Sequence, residues 1–215
     1  MTKRRPVTIV TGASSGIGAE LARVFARHGH GLVLVARRAT ELTALADEIA
    51  GRGHVRPLVL AMDLGHPGAG DRIDEALAAN HLDPQFVVNN AGFGLVGAVE
   101  SRDRAEQLSM IDLNIRTLTD FSLRWVEPMT RHRGGLLNVA SVAGFLPGPG
   151  SAVYYASKAF VVSFTQALHQ ALRNSLFIAT VTAILATPVG VLAEKGEGSP
   201  DGKTWTFTLN DNVKF

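Results

Sequence analysis

The sequence predicts a doubly wound parallel α/β sheet in three layers, and two observations carry that prediction. Short aliphatic or β-branched runs alternate along the chain with amphipathic stretches of helical length, and no two of the six runs are joined by a hairpin. The first run leads directly into a glycine-rich turn and then a helix, the arrangement in which backbone N–H groups meet a phosphate.

Length and composition agree with one folded domain. The chain has 215 residues, of which 46% are hydrophobic, enough for a single sizeable core. A formal charge of +2 is too small an imbalance to indicate nucleic acid, despite a pI of 9.2. Thr2-Lys3-Arg4-Arg5 reads as a solvated tip. With no cysteine there is neither a disulfide nor a thiolate metal site, and the scattered His28, His30 and His54 are expected at the surface, so no metal is expected. The uncharged run from Leu176 to Ala193 contains three threonines, Pro188 and Gly190, which favours a buried strand and its exit loop over a membrane span. A cytoplasmic protein without a membrane span is expected.

The elements follow in order. Val7-Thr8-Ile9-Val10 is the first strand, and Thr11-Gly12-Ala13-Ser14-Ser15-Gly16-Ile17-Gly18 the turn. The helix after it sets Leu21, Val24 and Phe25 on one face. Glycines at 12, 16 and 18 let a pyrophosphate and the adjoining strand approach. Gly31 to Ala36 is a second buried strand, ending in Arg37-Arg38. At this distance from the turn, an acidic residue would accept from the ribose hydroxyl of NAD. Ala36 has no carboxylate and two guanidiniums follow, which favours a 2′-phosphate.

A helix over 39–51 leads to a third strand from Val55 to Met62, ending at Asp63-Leu64, and a short helix from Arg72 to Ala79 follows the next loop. Phe86-Val87-Val88 is the fourth strand and runs into Asn89-Asn90-Ala91-Gly92. These small residues either leave room for a ligand at the carboxyl edge of the sheet or form an ordinary Asn-Gly turn. Helical patterns run from Arg102 to Ile111 and from Asp112 to Thr130. Asn114 lies in the second, where Asn is a mediocre helix former, as a core amide or a functional one. Gly135 to Ser141 is the fifth strand, Ala152 to Leu172 a long helix, and Phe177 to Leu185 the sixth strand.

The long helix carries Tyr154 and Lys158 four residues apart, on one face. A nearby ammonium favours the phenolate and would lower a phenol pKa from its ordinary value of about 10, making tyrosine a usable proton donor. The Ser141 hydroxyl is a candidate to hold the substrate oxygen.

Taken together, Thr11-Gly12-x-x-x-Gly16-x-Gly18, Asp63-Leu64, Asn89-Asn90-Ala91-Gly92, Asn114, Ser141 and Tyr154-x-x-x-Lys158 resemble the short-chain dehydrogenase/reductase family over about residues 6–189. Phe93-Gly94 and Ser157-Lys158-Ala159-Phe160 are most similar to a bacterial branch of NADP-dependent reductases. The resemblance implies a Rossmann-like fold and hydride transfer between NADP(H) and a carbonyl or alcohol. It implies Tyr154 as general acid/base, Lys158 lowering its pKa and binding the nicotinamide ribose, Ser141 positioning the carbonyl, and Asn114 holding a relay water. It also implies that Ser14, Ser15 and Ile17 join the glycines around the pyrophosphate, that Asp63 and Leu64 frame the adenine, and that Asn89, Ala91 and Gly92 line the central groove. Arg37, with Arg38 as helper, would take the 2′-phosphate. Relatives often form homodimers through the two long helices after the fourth and fifth strands.

The pattern breaks near the C-terminus. Ala186-Thr187 stands at the family's Pro-Gly position, Val191 stands at its Thr, and the expected substrate lid, last helix and last strand do not follow. Residues 190–215 instead form an atypical tail outside the 1–189 domain. Leu192-Ala193-Glu194, Ser199 to Leu209 and Val213-Lys214-Phe215 are similar to a hairpin segment of the solute-binding proteins of peptide and nickel transporters. Asp201-Gly202 is the turn signal, with Trp205, Phe207 and Leu209 alternating along a strand. This tail leaves open a second reading: a truncated or fused remnant that binds NADP(H) but turns over poorly.

Overall fold

A computed structural model describes residues 4–172, 176–183, 195–198 and 205–208. Six parallel strands form one sheet in the order β3-β2-β1-β4-β5-β6, with β1 at Arg5–Thr11, β2 at Gly31–Ala36 and β3 at Leu58–Ala61. The others are β4 at Leu82–Asn89, β5 at Gly135–Ser141 and β6 at Phe177–Ala183. The expected parallel three-layer architecture is therefore present.

Consecutive residues of each strand point to opposite faces, so both faces need a cover. On one face Val10, Leu32, Leu34 and Val88 pack against α1 (Gly16–Arg27) and α2 (Ala39–Gly51). On the other, Ile9, Val33, Val35 and Val87 meet α3 (Ala69–Ala79), α5 (Leu118–Arg124) and Met129 of α6 (Val126–Arg131). α4 (Arg104–Ile111) precedes α5, and α7 (Ala152–Leu172) packs along β5 and β6.

Several elements differ from expectation for local reasons. The third strand is shorter than 55–62: it begins at Leu58, because Pro57 has no N–H to donate and Val55 is 66% exposed. The fourth is longer and holds Pro84, where its pairing with β1 shifts by one residue. The helical run 112–130 is broken twice. Asp112–Thr117 widens into a π-helical turn around Asn114, and the helix stops at Trp125, where the Pro128 ring would meet the carbonyl four residues back. α1 buries Gly18, Ala19, Leu21, Ala22 and Ala26, whereas Val24 and Phe25 are only half-buried. His30 is not a surface group: it is half-buried with its ring edge-on to Phe25 and Phe86 at 5.2 Å each, and His54 is half-buried too.

Among the described residues, β6 pairs only with β5, and β7 (Lys195–Gly198) pairs only with β8 (Trp205–Thr208), antiparallel. The tail thus contains a hairpin pair separate from the main sheet. The expected turn at Asp201-Gly202, the end of the sixth strand at Ile184-Leu185, Ala186-Thr187, Val191 and the tail beyond Thr208 lie outside the described residues. No helix among the described residues is long and apolar enough to cross a membrane, and none of their His, Asp and Glu side chains cluster to hold a metal.

Candidate active site

Strand order reverses direction between β1 and β4, since the chain builds β1-β2-β3 outward and then returns to the other side of β1. The two loops leaving those strands diverge and open a crevice at their carboxyl ends. The glycine turn leaves β1 there and Asn89-Asn90-Ala91-Gly92 leaves β4.

The turn is held closed by side chains on both sides. Thr11 Oγ1 donates to Val88 O and accepts from the N–H groups of Asn90 and Ala91, each at 3.0 Å. Asn90 Nδ2 donates back to Thr11 O at 3.0 Å and Gly12 O at 3.3 Å. Gly12 has φ +65°, and a Cβ there would lie 2.7 Å from Asn90 Nδ2, so only glycine fits. α1 begins at Gly16 with no acidic residue in its first turn, and Ser15 makes no side-chain cap. Its first N–H groups are open to an anion, and nothing lies within 4 Å of where a Gly16 Cβ would stand. These features fit a pyrophosphate.

The two arginines are placed differently. Arg38 reaches the turn, donating from Nε and Nη2 to Ser14 Oγ at 3.2 and 3.1 Å and pairing with Glu41 at 3.3 Å. Arg37 is exposed. Asp63 is exposed and accepts from Gly65 N at 2.9 Å, while the Leu64 side chain is buried in the core and its carbonyl accepts from Thr117 Oγ1 at 2.7 Å. Asn89 does not present its side chain to the groove. It is 3% exposed and its Nδ2 donates to Asn138 Oδ1 at 3.0 Å and Ser122 Oγ at 3.1 Å, deep between β4, β5 and α5. Two carbons from Cα to the amide reach the core from a strand end, and the alternation of the strand sends them there.

The four predicted catalytic side chains come together. Ser141 ends β5, Tyr154 and Lys158 lie on the first turns of α7, and Asn114 lies in the π turn; all four are buried. The Ser141 hydroxyl lies near enough to the Tyr154 phenol to favour its ionised form, and Ser141 Oγ accepts from Ala143 N at 3.2 Å. Lys158 Nζ donates to Val139 O at 2.9 Å and stands over the Tyr154 ring, 5.9 Å from its centre. A Cβ at Gly92 would lie 2.8 Å from Asn114 Oδ1 and 3.7 Å from Lys158 Nζ, and one at Gly94 would meet the Tyr154 ring at 2.9 Å. The glycines therefore let the loop lie flat against the site.

Burial dominates the electrostatics of the site. Burial raises the Tyr154 pKa above the ordinary phenol value; the nearby Ser141 hydroxyl opposes this and the neighbouring Tyr155 adds to it. The Lys158 ammonium faces the ring and the Val139 carbonyl. Burial pushes Lys158 itself down to about 8.

The Asn114 side chain is committed to protein groups. Its Oδ1 accepts from Phe93 N at 3.1 Å, and its Nδ2 donates to Phe93 O at 2.9 Å and Ser157 Oγ at 3.1 Å. Both amide hydrogens are thus used on protein groups. Ser157 Oγ donates to the backbone carbonyl of Tyr154 at 2.7 Å. Thr11, Asn90, Phe93 and Ser157 are the positioning groups that sequence reasoning did not single out. All four stood within the quoted motifs, but only the fold shows what they touch.

Known proteins share this outline. A family model described as short chain dehydrogenase matches residues 6–197, past the expected boundary at 189. Sulfoacetaldehyde reductase 2 of Chromohalobacter salexigens is 38% identical over 162 residues, covering 74% of this chain and 64% of the relative. NADP-dependent 3-hydroxy acid dehydrogenase YdfG of Salmonella typhi is 32% identical over 210 residues, covering 94% of this chain and 82% of the relative. Among solved structures, a short-chain dehydrogenase from Sphingobium yanoikuyae in complex with NADPH superposes with a TM-score of 0.77 at 33% identity, covering 85% of this chain and 72% of that one. The chain spans less than two thirds of several curated relatives, 64% of the first above and 47% of a very-long-chain 3-oxoacyl-CoA reductase from Aspergillus clavatus.

Proposed function

The chain belongs to the short-chain dehydrogenase family, and on that premise we propose that it transfers a hydride between NADP(H) and a carbonyl or alcohol substrate. The observation that carries this reading is the buried Tyr154 beside the buried Ser141, with Lys158 one turn away and an uncapped glycine turn at the same sheet edge. The dinucleotide, when bound, supplies or accepts the hydride.

The protein's own residues orient the reactants and move a proton. Gly12, Ser14, Ser15, Gly16, Ile17 and Gly18 hold the pyrophosphate on N–H groups, with Ala91 and Gly92 forming the floor of the groove. Arg37, with free reach into solvent, takes the 2′-phosphate, and the Arg38–Ser14 pair forms the adjoining wall. Ser141 donates to the substrate oxygen while Tyr154 gives it a proton during reduction, or removes one during oxidation. Lys158 has two further N–H donors for the ribose hydroxyls. Asn114 acts as a positioning residue that fixes Phe93 and, through Ser157, the start of α7. Residues 1–189 form the reductase unit and 190–215 an appended segment. Large apolar side chains left exposed on α4, α5 and α7, namely Leu108, Ile111, Leu123 and Phe160, support a homodimer through these helices.

The test is NADPH oxidation against a panel of ketones and aldehydes, with Tyr154→Phe in parallel. Turnover in the parent and none in the variant is expected. Equal turnover in both would remove the mechanism, and none in either would support the remnant reading.

A further inference from the structure

Beside Tyr154 lies a shallow cleft, and its walls are not uniformly apolar. Leu95, Met110 and Val153 supply apolar surface, Gln107 an amide, and Arg102 the single charge. The walls are built by specific bonds. Gly97 N donates to Gly150 O at 2.8 Å and Ser151 Oγ donates to Leu95 O, which tie the loop after β4 to the start of α7. Arg102 donates from Nη2 to Val96 O, and a Cβ at Gly97 would stand 2.8 Å from Arg102 Nε. The glycine therefore admits the guanidinium against the loop.

Arg102 makes no ion pair with an acid among the described residues, although the neighbouring Asp103 is within reach by sequence. That carboxylate is spent on capping α4 at Ala105 N, 2.9 Å away. A guanidinium has five donors in a planar fork, and only Nη2 is used here on protein, leaving the remainder for a ligand. A cation held on the wall of the cleft that contains the proton donor selects for substrate charge.

We propose that Arg102 binds the acid group of an anionic carbonyl substrate, a short oxo acid or a compound with a comparable oxyanion, and so orients its carbonyl towards Tyr154. This rests on the reductase reading for the chemistry but not for the binding. A carboxylate gains charge-assisted hydrogen bonds from the fork that its ester cannot.

The experiment compares acetoacetate with its methyl ester, in the parent, Arg102→Gln and Arg102→Lys. The parent should favour the acid, and Arg102→Gln should lose about tenfold or more in kcat/KM for the acid, mostly through KM, with the ester unchanged. Arg102→Lys should recover part of the loss. Binding is read separately from ligand-observed NMR on the corresponding hydroxy acid and its methyl ester, with NADPH present so that no reaction runs. An acid bound no more tightly than its ester, or equally well by Arg102→Gln, overturns the proposal whatever the turnover. A parent that binds the hydroxy acid through Arg102 yet reduces nothing upholds the site and refutes the reductase reading. Reduction of acid and ester alike, unchanged in Arg102→Gln, does the reverse.

Discussion

Asn114 clasps the peptide of Phe93, accepting from its N–H at 3.1 Å and donating to its carbonyl at 2.9 Å. The clasp fixes the loop that carries Gly92 and Gly94 against Lys158 and Tyr154. Removing it leaves two backbone groups of a half-buried residue without partners. Asn114→Ala should lower unfolding free energy by about 2 kcal/mol, read from the denaturant midpoint. Turnover should fall more than cofactor affinity, because the loop meets the Tyr154 ring and not the glycine turn.

Tyr154 should ionise late in the protein without cofactor. Burial outweighs the influence of the Ser141 hydroxyl, so its folded pKa lies above that of an ordinary phenol. The phenolate absorbance difference between the parent and Tyr154→Phe should therefore emerge above about pH 10; a midpoint near the neutral range would show that Lys158 dominates.

Lys158 carries a stability cost that function requires. Its pKa falls from 10.5 to about 8 on folding, a shift worth roughly 3 kcal/mol. Below about pH 8 both folded and unfolded states are protonated and the cost is fully present. Between about 8 and 10.5 the unfolded state holds the extra proton, so stability rises with pH. Lys158→Met should thus melt higher than the parent at about pH 7 while losing activity, and the gap should close by about pH 10. Thermal melts without cofactor across this range check the sign.

Asn89 belongs to the core and not to the groove. Asn89→Leu removes donors from Asn138 and Ser122 and should cost about 1–3 kcal/mol of stability. NADPH affinity, measured on the folded variant, should stay within about twofold of the parent, since what is lost is a core hydrogen-bond network.

Arg37 and Arg38 should separate in cofactor preference. Arg37→Asp should reduce the ratio of kcat/KM for NADPH over NADH by about thirtyfold, the loss of a charge-assisted contact plus repulsion. Arg38→Ala should reduce it less, because Arg38 is already held by Ser14 and Glu41. Equal effects would place the 2′-phosphate between them.

The tail shows where pattern reading reaches its limit. Alternation at Trp205 and Phe207 predicts a strand, and β8 is there, paired with β7. The partner of a strand is set by which edge is free, which local alternation does not encode. The boundary at 189 rests on a broken motif, whereas the family match continues to 197.

By itself the sequence determined the order of strands and helices, the glycine turn, and the Ser141, Tyr154 and Lys158 set. These depend on periodicity, on the absence of a Cβ and on fixed spacing along one helix, all properties of neighbours in the chain. The tertiary structure alone decided the rest: that Asn89 turns inward, that Asn114 binds Phe93, that Arg38 meets Ser14, and that burial lifts the Tyr154 pKa while Lys158 faces a carbonyl. Each depends on what another segment places within hydrogen-bond reach and on how much water it excludes, and neither quantity exists until β1, β4, β5 and α7 have packed together.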